Sequence, residues 1–175
     1  EPVEYEQQTE EGVYTSSRLP SVVAPQPSGL PLVGEGAKRL RARVADLQLR
    51  PNQSLFFETK NDMGIRRTYK GAPSGYQKPH EIGSHVLRRL ATGPSTKHST
   101  AYDRIVVTVP ASFRPPQRKD TILAAAGAGM ELTPECLLDE PIAAFIDFAV
   151  REPQLAEATA RGAREVVVFD FGGGT

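Results

Sequence analysis

Arg104-Ile105-Val106-Val107-Thr108-Val109-Pro110, and further on Cys136-Leu137-Leu138-Asp139-Glu140-Pro141-Ile142, decide the fold class of this chain. The first is a β-branched run closed by a proline, which predicts a fully buried strand. Pro115 and Pro116 then open a helix that continues through Leu123 to Ala126 and stops at Gly127 and Gly129. Cys136-Leu137-Leu138 reads as a short second strand. Pro141 starts another helix, whose Ile142, Phe145, Ile146 and Ala149 fall at i, i+3, i+4 and i+7 and so share one face. Glu165-Val166-Val167-Val168-Phe169 reads as a third strand, ending in Asp170-Phe171-Gly172-Gly173-Gly174-Thr175. Strands and helices in strict alternation predict an α/β unit.

Upstream the pattern is less regular. Pro79 stands where a first helical residue tolerates a missing N–H, and Ile82, Val86 and Leu90 follow at a spacing of four, so a helix is expected to end near Gly93-Pro94. Gly34 to Val44 favours helix, with Ala37, Leu40 and Val44 on one apolar face. Leu19-Pro20-Ser21-Val22-Val23-Ala24 reads as a short strand that its proline demotes towards an edge. Leu55-Phe56-Phe57 is an apolar knot, and Arg66 to Gly75, with Tyr69 and Tyr76 nearby, reads as hairpin or loop. Residues 1–18 are polar and acidic without period and read as loop, as does the proline-rich stretch from Pro25 to Pro31. No repeat at a solenoid period is found.

With 175 residues the chain is long enough for one or two compact units. Lys plus Arg and Asp plus Glu are balanced at 21 each, so global charge does not argue for nucleic acid or an anionic membrane. The local basic stretch Lys38, Arg39, Arg41, Arg43 and Arg50 reads as a solvated face, and no nucleic-acid partner is assigned. Cys136 is the single cysteine, which excludes an intrachain disulfide and suggests a core thiol. No apolar stretch approaches the ~20 residues of a membrane span, and the acidic start is unlike a signal peptide. A cytoplasmic location without membrane attachment is the expectation.

The sharpest chemical signal is the C-terminal one. An apolar strand delivers Asp170 at its carboxyl end, just before three glycines and a threonine. Glycines let backbone N–H groups approach an anion, Thr175 adds a hydroxyl donor, and Asp170 suits a hydrated magnesium. The alternative is a flexible glycine turn at a sheet edge. Other motifs fail on context. Asp170-Phe171-Gly172 matches the kinase magnesium triplet but has no His-Arg-Asp catalytic loop before it. His80-Glu81 and His85 hint at a zinc helix, yet the histidines are five apart and lie about 140° apart around it. Gly127 and Gly129 follow a helix rather than a strand, so they mark a helix end rather than a dinucleotide loop. No Gly-x-x-x-x-Gly-Lys-Ser/Thr loop exists.

The linked order of Val107-Thr108-Val109-Pro110-Ala111-Ser112-Phe113, Gln117-Arg118, Leu138-Asp139-Glu140-Pro141-Ile142-Ala143-Ala144 and Val168-Phe169-Asp170-Phe171-Gly172-Gly173-Gly174-Thr175 resembles the ATPase domain of the DnaK-type seventy-kilodalton heat-shock chaperones. Leu19 to Ala24, Val33 to Lys38, and Lys60 with Met63-Gly64 resemble more peripheral segments of the same family. The resemblance runs over residues 19–175 and is strongest after Tyr102. It implies an actin-like ATPase (ribonuclease H-like) fold, α/β in class, present as an incomplete first lobe. By that resemblance 1–18 is a polar N-terminal segment, 19–78 an outer subdomain, 79–150 an inner subdomain and 151–164 an inter-lobe connector. Residues 165–175 would be the first strand and phosphate loop of the second lobe.

The resemblance also implies roles. Lys60 would reach the terminal phosphate and orient water, and Glu140 would stand near the magnesium water shell. Asp170 would act as the magnesium-linked carboxylate through water, and Gly172, Gly173, Gly174 and Thr175 as the phosphate clasp. Pro110 and Arg118 would couple nucleotide state to a substrate-binding domain. The implied ligands are ATP or ADP with magnesium, and the implied partners of the parent protein are unfolded polypeptide clients and co-chaperones. The first phosphate loop is expected ahead of residue 1 and the adenosine site after Thr175, so the chain alone is expected to be inactive. An uncovered edge on the 104–109 strand suggests self-association. Ser112, Asn61 and Ile142 depart from the residues usual in the family, which keeps a non-hydrolysing actin-like scaffold as the alternative.

Overall fold

The computed structural model describes residues 2–95, 104–162 and 167–169. Strand β3 (Val23–Ala24) pairs antiparallel with β4 (Leu32–Val33), and on its other side Val23 exchanges two backbone hydrogen bonds with Phe56 at 2.9 and 2.8 Å. The predicted edge strand is therefore flanked on both sides, because Pro20 lies before the pairing begins. Successive side chains of a strand face opposite ways. Here that rule separates two cores: Val23 and Phe56 enter a cluster with Val33, Tyr69, Tyr76 and Ile82, whereas Val22, Ala24 and Leu55 enter another with Ala37 and Leu40.

Ala37 and Leu40 belong to helix α1 (Glu35–Leu40), which tightens into a 3-10 turn at Arg41–Arg43. Helix α2 (Pro79–Ser95) then links the cores. Its Ile82 and Val86 face the Phe56 cluster, while Leu87 and Ala91, on a different face, pack against a third cluster of Ala125, Met130 and Leu132. Helix α3 (Pro115–Gly127) crosses α2 closely, since small residues meet at the contact. A Cβ on Gly83 would lie 3.0 Å from that of Ala124, and one on Gly127 would lie 2.3 Å from Ser84 Oγ.

The alternation predicted after Tyr102 is present. Strand β5 (Val107–Val109), α3, a 3-10 turn at Pro134–Cys136, β6 (Leu137–Asp139) and α4 (Glu140–Arg151) follow in order, with α5 (Pro153–Gly162) last. β5 and β6 pair in parallel, with Val107 opposite Leu137 and Val109 opposite Asp139, and α3 is their crossover. Gly129, at φ 85°, ends α3 in the left-handed conformation expected of a helix-terminating glycine.

Several expectations are corrected. Residues 1–18, read as loop, contain an antiparallel hairpin of β1 (Tyr5–Thr9) and β2 (Gly12–Ser16). Its anchor is polar rather than apolar. Gln7, only 1% exposed, donates Nε2 to the Arg18 carbonyl at 2.9 Å and accepts the Glu35 N–H on Oε1 at 2.8 Å, so it also caps α1. The acidic turn then pairs with the basic stretch: Glu11 meets Arg39 at 2.5 Å and Glu10 meets Arg43. Those arginines form a paired surface rather than a purely solvated one.

The strand expected over 104–109 is limited to three residues and is not buried throughout, because among the described residues β5 pairs with β6 alone. Cys136 is half-buried at the margin of the third cluster instead of inside it. The strand expected over 165–169 is not formed at 167–169, where Val167 is 86% and Phe169 83% exposed. β-branched composition gives propensity, whereas burial needs a sheet to join. The apolar face of α4 is likewise exposed at Ile142, Phe145 and Ile146. Among the described residues the α/β class holds as three two-stranded sheets rather than one extended sheet.

Gly36 lets α1 approach the hairpin, for a Cβ there would lie 2.1 Å from the Gln8 carbonyl oxygen. Gly36→Ala gains about 1 kcal/mol of helix propensity but forces a clash with backbone that costs about 2–3 kcal/mol. The expected result in urea denaturation is a net loss of stability. A variant more stable than wild type would show that the hairpin is not held against α1.

Candidate functional site

Parallel strands bring their carboxyl ends to the same side of a sheet, where open α/β folds place ligands. β5 ends at Val109, just before Pro110, and β6 at Asp139, side by side. Beyond β5 the chain turns, and Phe113 donates its N–H to the Pro110 carbonyl at 2.9 Å. The Phe113 carbonyl accepts Arg118 Nε at 3.0 Å, and the other end of the guanidinium bonds Asp139 Oδ1. Arg118 therefore ties the loop after β5 to the end of β6.

Glu140, the next residue, accepts Lys60 Nζ on Oε1 at 2.9 Å. The same ammonium stands 5.7 Å from the centre of the Phe113 ring, within reach of a cation–π contact. Four residues singled out from the sequence thus converge around Phe113: Lys60, Glu140, Pro110 and Arg118. Lys60, Phe113 and Glu140 border a cavity of about 360 Å³ that Met63, Val109, Thr121 and Ala124 also line.

Lys60 comes from a distant segment, and its position follows from how that segment is fastened. It lies in a 3-10 turn, Thr59–Asp62, entered through Glu58 in the left-handed region at φ 58°. Just past the turn, Gly64 donates its N–H to Asp120 Oδ2 on α3 at 2.8 Å. Gly64 has φ 75°, and a Cβ there would lie 2.8 Å from the Gln117 backbone nitrogen, so only glycine suits both conformation and space. Asp62 accepts the Tyr69 hydroxyl at 2.9 Å and Arg67 at 2.7 Å. Burial first, then the Asp62 carboxylate, pushes the Tyr69 hydroxyl well above its ordinary range, so it stays a donor.

Asp170, Gly172, Gly173, Gly174 and Thr175 lie outside the described residues. Phe113, Asp139, Gly64 and Asp120 were not assigned roles from the sequence. The available signals were the adjacency of Asp139 to Glu140 and the Met63-Gly64 pair, but neither gives a role without tertiary placement. Among the described residues no group of three or more His, Cys, Asp or Glu side chains could hold a metal, so His80, Glu81 and His85 do not gather as a zinc site. As a donor set, the Lys60 ammonium suits a phosphate oxygen and the Glu140 carboxylate suits a hydrated divalent cation.

A family model described as Hsp70 protein matches residues 36–175. The chain is 32% identical to Chaperone protein DnaK of Nitrosopumilus maritimus over 90% of this chain and 22% of that protein. It is 33% identical to Chaperone protein DnaK of Mycoplasmopsis pulmonis over 89% of this chain and 23% of that protein. Heat shock 70 kDa protein BIP3 of Oryza sativa subsp. japonica is 31% identical over 89% of this chain and 25% of that protein. The chain therefore spans about a fifth to a quarter of these relatives' length.

The two ion pairs of the site differ in burial. Arg118 and Asp139 side chains are each 30% exposed, against 39% and 32% for Lys60 and Glu140. Arg118 also holds a backbone carbonyl. Double-mutant cycles on stability should give a coupling of about 1 kcal/mol for Arg118 with Asp139 and about 0.5 kcal/mol or less for Lys60 with Glu140. The reverse order would show that Arg118 is not the fastening of this site.

Proposed function

The chain belongs to the Hsp70 family, and we propose that it forms part of the ATP-binding and ATP-hydrolysing domain of a DnaK-like chaperone. The observation that carries this reading is the Lys60–Glu140 pair, 2.9 Å apart at the carboxyl ends of parallel strands. In the reading, the domain is actin-like and the chain supplies an incomplete first lobe. Residues 19–78 form its outer subdomain, 79–150 its inner subdomain and 151–164 the inter-lobe connector, while 165–175 open the second lobe. The exposed apolar face of α4 and the one-sided pairing of β5 support a larger domain around this part.

ATP or ADP would be held from this side by Lys60, at the terminal phosphate, and by Gly172, Gly173, Gly174 and Thr175, at the phosphates. Glu140 and Asp170 would face magnesium through water. Bound magnesium would supply charge neutralisation at the phosphates, and the reaction in this reading would be in-line attack of water on the γ-phosphate. Lys60 would orient that water, and in this reading it would exchange its bond to Glu140 for one to phosphate oxygen as nucleotide arrives. Pro110 and Arg118, both bonded to the Phe113 backbone, would pass such a rearrangement to a substrate-binding domain. The parent's partners in this reading are unfolded polypeptides and co-chaperones, and its location is the cytoplasm. Among the described residues no helix is long and apolar enough to cross a membrane.

Single-turnover ATPase assays on the full-length parent test the assignment. Lys60→Ala and Asp170→Asn should each slow hydrolysis about a hundredfold, and unchanged rates would remove both roles. Nucleotide binding without turnover in the wild type would instead fit a non-hydrolysing actin-like scaffold. The chain alone should show no micromolar affinity for magnesium-ATP by calorimetry, because the reading requires a second lobe.

The uncovered side of β5 and the exposed face of α4 should also make the isolated chain self-associate. Sedimentation is expected to show oligomers that grow with concentration. A strict monomer at high concentration would refute this.

A further inference from the structure

A row of rings runs from the first core to the surface on one side of α2. Phe56 packs against Tyr69, ring centres 5.7 Å apart, and stacks on Tyr76 at 5.8 Å. Tyr76 in turn stacks on His85 of α2 at 4.3 Å, with 17° between the planes. His85 Nε2 lies 3.0 Å from the Gly75 carbonyl, which can only accept, so Nε2 carries the proton and Nδ1 is the bare nitrogen of a neutral ring. Nδ1 is buried and has no hydrogen-bond partner. A second proton would therefore create a buried donor with nothing to bond.

Besides the burial of Tyr69, Ala72 and Tyr76 in the first core, the segment that His85 covers is fastened by hydrogen bonds at its ends. Tyr69 donates its N–H to the Gln77 carbonyl at 2.8 Å, and Glu81 Oε2 accepts the N–H groups of Gln77 and Lys78 at 2.7 and 3.1 Å. This loop joins the 3-10 turn that carries Lys60 to the start of α2, and its Tyr69 hydroxyl is bonded to Asp62 of that turn.

We propose that His85 is a proton-sensitive latch: neutral, it seats the Tyr69–Gln77 loop against α2, and protonated at Nδ1 it leaves the stack and releases that loop. The charged groups facing the ring are Arg88 and Glu81, both on α2, and from the loop the ring faces the Tyr76 phenol and the Gly75 carbonyl. Arg88 opposes a second positive charge. Glu81, the Gly75 bond and the π face of Tyr76 favour it. Burial is the largest effect and holds the imidazole below its ordinary titration range. The sign follows. An opened loop binds the proton more readily than a seated one, so seating is complete above about pH 6.5 and weakens as pH falls from there towards the lower folded value.

Amide exchange of the chain, corrected for the intrinsic pH dependence of exchange, reads this out at the Tyr69 and Gln77 N–H groups. Their protection should fall between pH 7.5 and 5.5, by up to about tenfold, the limit for one linked proton over that range, while the Phe56 N–H, bonded to Val23, should not follow. His85→Phe keeps a ring on Tyr76 but takes up no proton, so its protection should be flat over that range. His80→Gln should behave as wild type. NMR titration of the His85 ring in the wild type gives a second measurement should the variant fold poorly. A His85 titration at or above pH 6.5, or the same fall in His85→Phe, would overturn the latch.

Discussion

The parallel pairing of β5 with β6 is the constraint on which the site depends. Only a parallel pair, closed by a crossover such as α3, sets the carboxyl ends of two separated segments side by side. The register opposes Val109 to Asp139, and so places the Pro110 turn next to Glu140. Slipping by one residue would turn every β6 side chain to the other face. Asp139 would then leave Arg118. The bond from Arg118 to Asp139, together with its bond to the Phe113 carbonyl, makes that slip costly because both break together.

The frame around the site is held mainly by bonds in which a backbone group takes part, as at Pro110–Phe113, Phe113–Arg118 and Gly64–Asp120. Such contacts have little freedom to rearrange while the backbone stays put. The Lys60–Glu140 pair is different in kind. It joins two flexible, part-exposed side chains, and in solvent such a pair contributes little. The Lys60–Glu140 contact can therefore break while the backbone-bonded frame around it stays in place.

Much of the fold after Tyr102 was legible because its punctuation is local. Pro115 opens α3, Gly129 ends it, and Pro141 lies in the first turn of α4. The hairpin at 5–16 was illegible for the opposite reason: its hold on the rest of the chain runs through Gln7 and the ion pairs of Glu10 and Glu11, and polar residues without period also describe a loop. Strand length was overestimated at 104–109 and at 167–169, where propensity is high but pairing is partial or not formed. At the site, the roles of Lys60, Glu140, Pro110 and Arg118 came from family resemblance, since each residue alone has an ordinary structural reading. Phe113 holds Arg118 through its backbone carbonyl, and no side-chain pattern encodes which carbonyl an arginine will find.

Stability cannot be uniform along this chain. Around α2 two apolar clusters share one helix, so opening any part there exposes core on more than one face. Beyond β6 the helices carry a different set of supports. The ion pairs Arg151 with Asp147 in α4 and Arg161 with Glu157 in α5 are exposed i,i+4 contacts worth about 0.3–0.5 kcal/mol each. Helices of this length are marginal in water on such terms. Their amphipathic spacing has physical value only when Ile142, Phe145 and Ile146 are covered, each burial contributing about 1.5–3 kcal/mol. The order of this end of the chain is therefore tied to whatever packs on α4, whereas the Phe113 frame is tied to α2 and α3.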